Sequence, residues 1–345
     1  MKATEFRRDH HYVPCEYLKR WTNPQGRLWT YRLLASHPGV PLWKLSSPRG
    51  VAYHSHLYTQ VVGGHETDGF EKWLDSEVEQ PAQEPLSKVA TDARLTPDDW
   101  RRLMRFVAAQ DVRTPARLEE QMTRWQAELP DLLDKTLRDS VGRLKEAGRS
   151  GQPPTPPADP EEVGQALPIK VTRERRPGQE RAEIKAEVIV GRDLWLWSIR
   201  HVVDNLAEVL RGHKWTILKP PEGWLWFTSD SPVLRLNYAG PSHYDFGGGW
   251  GRPGTEIVVP LGPQHLLYTQ IGRRPSLLRG ERMPIAQAEI VRRMIAEHAH
   301  RLIFAVGQDP QVPRLRPRTV DAKLYRQERE QWAAWHEQQI ALENE

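Results

Sequence analysis

Between Asp68 and Ala147 the apolar residues return every three or four positions, and on either side of that stretch they mostly do not. Phe70, Trp73, Leu74 and Val78 share one helical face, and Leu118, Met122, Trp125, Leu129, Leu132 and Leu133 share another. This period commits the middle of the chain to helices that each bury one stripe. Thr96, Pro97, Asp98 and Asp99 read as a helix start. The hydroxyl caps, proline takes the first helical position, and two carboxylates face the positive end of the helix dipole. The helix they open is predicted to run to about Arg113, and the next, over residues 116–147, to be interrupted or kinked at Pro130.

Before Asp68 lie short extended runs, residues 27–34 and residues 51–62, the second closed by Gly63 and Gly64. Residues 148–168 carry Pro153, Pro154, Pro156, Pro157 and Pro160 with few apolar side chains, and read as an exposed linker or long loop. Beyond it, Leu194, Trp197, Val202, Leu206, Val209 and Leu210 mark a helix. A meander of short strands follows over 215–218, 224–227, 233–236, 256–260 and 266–271, then a helix over 284–300, a strand over 301–306 and a charged closing helix over 322–341. The fold class expected is α+β: a small N-terminal sheet, a central helical layer, and a C-terminal, mainly antiparallel sheet with flanking helices. The organisation expected is 1–147 with the strands and helices, 148–168 as linker, 169–310 as an α+β region, and 311–345 as the closing helix, packed as one integrated domain.

A chain of 345 residues can bury a sizeable core. Its 49 Lys and Arg against 45 Asp and Glu leave a net charge of +4, too small an excess to name nucleic acid as a partner on charge alone. The single cysteine, Cys15, rules out a disulfide framework and every multi-cysteine metal site, and fits a reducing cytoplasm. No run of about 18 apolar residues occurs and the first residues lead into no apolar signal core, so no membrane association is expected. Tryptophan is in excess, 14 residues against 6 Phe and 9 Tyr. Most fall on expected helix or strand faces. Trp21 and Trp224 remain as candidates to stack on a base.

Three local features carry chemistry. His10 and His11, in His10-His11-Tyr12-Val13-Pro14, supply a metal ligand plus a proton acceptor, or a donor and acceptor pair; the alternative is two surface histidines on a mobile terminus. Gln110, Arg113 and Thr114 put polar groups on the inward face of an otherwise apolar helix, where they clamp a loop or meet an anionic ligand. Thr228-Ser229-Asp230-Ser231-Pro232 places a carboxylate among hydroxyls after an apolar strand, a catalytic loop or an ordinary Asx-turn. His54 and His56 are expected to share one strand face, which suits a metal.

Taken together, His10-His11-Tyr12-Val13-Pro14, Tyr17-Leu18-Lys19-Arg20-Trp21, Leu57-Tyr58-Thr59, Phe106 to Gln110 with Arg113-Thr114-Pro115, Phe227 to Val233, and Val259 to Pro263 resemble a large bacterial family named for a domain of unknown function. The resemblance covers about residues 8–306. It implies that His10, His11, Gln110, Arg113, Ser229 and Asp230 converge in one pocket, joined by Glu71, and it leans toward nucleic-acid or nucleotide chemistry and bacterial defence. Cys15 stands where the family usually carries a polar residue, and His54 and His56 lie outside its pattern, which lowers all three as site residues.

The function expected is a cytoplasmic hydrolase of phosphodiester bonds, a nuclease. His10 and His11 would serve as base and acid; His10, Asp230 and Glu71 would hold a divalent metal ion. Arg113 would stabilise phosphorane charge, and Gln110, Thr114, Ser229, Trp21 and Trp224 would bind a nucleic acid or nucleotide. The alternatives are glycosidic cleavage of a nucleotide cofactor, and a non-catalytic binding or sensor module in which the His-His box pins the N-terminus by hydrogen bonds.

Overall fold

The capping box at Thr96 is formed: the Thr96 hydroxyl accepts from the Asp99 amide, and the Asp99 carboxylate accepts from the Thr96 amide at 2.7 Å. The helix it opens, Pro97–Val112, is buried along its whole second half, from Phe106 to Val112. It packs chiefly against the helix Arg192–Arg211. The computed structural model describes residues 6–150, 169–174 and 183–343.

The helical run after Asp68 is broken into Gly69–Leu74, a wider π turn over Asp75–Glu79, and Gln80–Ala90. Such turns add a residue to the helical circuit and redirect side chains. Here the turn ends on Glu79, which meets the buried Arg113. The long helix Pro115–Ser150 continues through Pro130 without ending. Of the proline-rich stretch expected as a linker, residues 148–150 form the end of this helix, and the remainder lies outside the described residues.

Five antiparallel strands form the larger sheet, in the order Thr216–Leu218, His265–Gln270, Thr255–Gly262, Leu234–Gly240 and His243–Asp245. A second sheet orders Thr228–Ser229, Leu302–Ala305, Leu28–Arg32 and Trp43–Ser46, so strands from the two ends of the chain lie side by side. Asp9–His11 pairs with Tyr53–Ser55, and Gly63 and Gly64, both with positive φ, close the hairpin Gln60–Val62 with His65–Thr67. Helices, sheets and their mixed order make the fold α+β, as the periodicities indicate.

Two expected strands differ. Residues 224–227 do not join a ladder, because the Trp226 amide donates to the Pro263 carbonyl and the Trp226 carbonyl accepts from the Trp21 indole. His54 and His56 do not share a strand face: the strand ends at Ser55, and His56 turns into the left-handed region at φ 55°. The closing helix, Ala322–Glu343, docks on the molecule through Trp332, whose ring stacks on His54 at 3.8 Å. Among the described residues no helix is long and apolar enough to cross a membrane.

Candidate functional site: a basic cleft lined by His54 and His300

The strand Asp9–His11 alternates its side chains, so His10 points inward and His11 outward. His10 is fully buried and both its ring nitrogens are engaged. Nδ1 accepts from the Tyr58 amide at 2.8 Å, so the proton sits on Nε2, which donates to the Arg7 carbonyl at 2.9 Å. Burial lowers this imidazole to about 4. With no lone pair left, His10 is neither metal ligand nor proton shuttle, which corrects the expectation. His11 lies outside, with Nε2 against the Arg49 carbonyl and its ring beside Tyr53.

Arg113 is likewise committed. Its fully buried guanidinium donates to the Tyr12 carbonyl at 3.0 Å and to Glu79 at 2.6 Å, and Gln110 turns its amide oxygen toward it at 3.1 Å. The Tyr58 hydroxyl donates to the Arg113 carbonyl. Glu71 is buried in the same neighbourhood; burial pushes its carboxyl up to about 8, and the Glu79 carboxylate adds to this. Burial also pushes the Cys15 thiol up to about 11, which leaves it un-ionised and a poor nucleophile. Thr114 caps the long helix through the Arg117 amide. Arg113, Gln110 and Thr114 therefore hold the Tyr12 loop and the helix start, and none of them lines the cleft that holds His54 and His300.

Asp230 accepts from three backbone amides, those of His300, Arg301 and Leu302, at 2.7 to 2.9 Å. Burial pushes its carboxyl up to about 6, opposed by those same amides. Three backbone amides hold this buried carboxylate as a clamp, and among the described residues His10, Asp230 and Glu71 do not come close enough to share a metal ion. Ser229 closes its own turn by bonding the Ser231 amide and carbonyl. Trp21 is core: its indole holds the Trp226 carbonyl, and Tyr17 beside it bonds Thr228 and the Pro260 carbonyl. Trp224 lies under Arg292 in the wall of a separate cavity with Asp309.

What these networks hold in place is a cleft of about 440 Å³. Tyr12 and His54 enter it from the N-terminal strand pair, His300 and Arg301 from the segment that Asp230 clamps, Arg32 from the second sheet, and Glu328, Arg329 and Trp332 from the closing helix. His54 is sandwiched between the rings of Tyr12 and Trp332. Burial lowers it to about 4, and charge on His300 lowers it further. Burial likewise lowers His300 to about 4, with Arg301 and Arg316 adding to the effect, and its Nε2 lies 3.8 Å from Glu119. Arg301 pairs with Glu328 at 2.7 Å, while Arg32 and Arg329 have no carboxylate partner among the described residues. The positive end of the long helix, at Pro115, completes the wall. A second cavity of about 460 Å³ lies on the other side of His300 and Arg301, lined also by Arg117, Ser231 and His298.

Among the described residues one group has donors close enough to share a metal ion: His56, Glu66 and His336, mutually within 4.8 Å. His336 Nδ1 accepts from Arg192, which fixes its proton on Nε2 toward Glu66. An arginine can only donate, so His336 has no lone pair for a metal in this arrangement. The group reads as a bond between the closing helix and the hairpin.

The fold and cleft define an α+β protein with a basic, histidine-lined pocket at the junction of its two ends. The chain belongs to the family described as protein of unknown function (DUF4238), whose model matches residues 9–309. No curated protein and no solved structure matches it. His54 is visible in the sequence only as half of a metal pair with His56 and is lowered there because it lies outside the family's pattern, while His300 sits in no distinctive run and is not singled out. The alternation that puts Tyr12 and His54 on one face of a strand pair was the available signal.

Proposed function

We propose that the protein binds a phosphate-bearing nucleotide or nucleic acid in this cleft and cleaves a phosphodiester bond there. The observation that carries the reading is the pairing of two imidazoles, His54 and His300, with the guanidinium groups of Arg32, Arg301 and Arg329 around one cavity. The guanidiniums and the helix start favour a phosphate and the charge that develops on it. The phosphate in turn places negative charge beside both imidazoles and lifts them back toward their ordinary range. One then takes the proton of the attacking oxygen and the other gives a proton to the leaving oxygen. Trp332 and Tyr53 offer aromatic surface for a base at the rim.

This chemistry needs no metal. Incubation with single-stranded RNA, single-stranded DNA and cyclic nucleotides, with and without chelator, is expected to yield cleavage of at least one substrate at a rate that chelation leaves unchanged. Absence of cleavage across the panel would overturn the catalytic reading. The hydrogen-bonded burial of His10 favours a second reading, in which the same cleft holds a phosphate ligand without cutting it; binding of nucleotides without turnover would select it.

A further inference from the structure

A groove of about 790 Å³ opens at the other end of the helix Pro97–Val112, roughly 24 Å from the cleft by helical rise. Arg94, Lys214, Arg274 and Arg279 stand in its wall with the indoles of Trp100 and Trp215, and no carboxylate lines it. The nearby acids are engaged elsewhere: Asp92 with Lys219, Asp98 with Arg101 and Arg102, and Asp99 with Lys88. Arg94, Lys214 and Arg274 are exposed and have no ion-pair partner among the described residues. Trp215 is pinned by its indole N–H on the Leu210 carbonyl at 2.7 Å, so its ring is set before any ligand arrives.

We propose that this groove is a docking track for single-stranded nucleic acid, with the cations on successive phosphates and the two indoles under bases. Unpaired cations interleaved with aromatic rings, one of them held in place by its own hydrogen bond, suit a strand whose bases are free to stack. An acidic peptide would use the cations and leave the indoles idle. The inference rests on the reading of the cleft as a nucleic-acid site, and supplies its substrate class.

The test is fluorescence anisotropy of a labelled single-stranded oligonucleotide of about 12 nucleotides, with His300→Gln protein so that the probe stays intact. The expected result is salt-dependent binding. Arg94→Glu/Lys214→Glu/Arg274→Glu added to it should weaken affinity about 100-fold and reduce the salt slope by about 2, at roughly 0.7 per lost phosphate contact. Trp100→Ala alone should weaken binding about 10-fold. If the triple charge reversal loses its fold, the Gln versions of the same three positions should still weaken binding and flatten the salt slope. Unchanged affinity in the folded variants, or tighter binding of a poly-glutamate peptide than of the oligonucleotide, would overturn the proposal. Because the readout is binding by protein lacking His300, a failure of cleavage and a failure of docking are seen separately.

Discussion

Arg113→Met is expected to destabilise the protein by about 3–5 kcal/mol, the cost of breaking a buried ion pair from one side. The guanidinium is fully buried and serves Tyr12, Glu79 and Gln110 at once. Without it, the Glu79 carboxylate loses its partner next to the buried carboxyl of Glu71, and the Tyr12 carbonyl loses its donor. The melting temperature should fall on the order of 10 °C. Adding Glu79→Gln should recover part of the loss, because the stranded charge goes with it. A melting temperature within about 2 °C of wild type would show that the network does not hold the Tyr12 loop.

Acid is expected to unfold the protein between pH 6.5 and 4. Burial holds His10, His54, His298 and His300 at about 4, against 6.5 in an open chain. Between those values the unfolded chain binds protons that the fold refuses, so their contribution is complete above pH 6.5 and drains away as pH falls. Each shift is worth on the order of 3 kcal/mol, and the four together rival the whole stability of a typical domain. Asp230 at about 6 and Glu71 at about 8 act in the opposite sense. Their folded carboxyls bind protons the open chain has lost, so that contribution is present in acid and falls away as pH rises through those values. Four groups outweigh two below pH 6, and only Glu71 acts above about 6.5. Melting temperature should therefore peak near pH 6.5 and drop steeply toward pH 4.5; a flat profile over that range would contradict the burial of these imidazoles.

Local rules carried the fold a long way and the site only part of it. Thr96 and Asp99 need only their own neighbours to start a helix, and Gly63-Gly64 needs only its own backbone freedom to turn, so both were legible. The polar residues of the most distinctive stretches were also conspicuous, but their roles depend on partners far away in sequence. His10 is occupied by Tyr58, Asp230 by the amides of residues 300–302, and Trp21 by Trp226. Buried polar side chains must find such partners, and a motif rich in them is as readily a fastening as a reacting group. The cleft joins Tyr12, His54, His300 and Trp332, from four separate segments that only the tertiary fold brings together.

Cleavage in the cleft depends on the His300 imidazole. The most direct test is the single-turnover rate at which purified protein and the His300→Gln variant cut single-stranded RNA at pH 7, with melting followed alongside. The expected result is a loss of about 10²- to 10⁴-fold with little change in melting temperature. Cleavage by His300→Gln at the wild-type rate would contradict the assignment of the cleft.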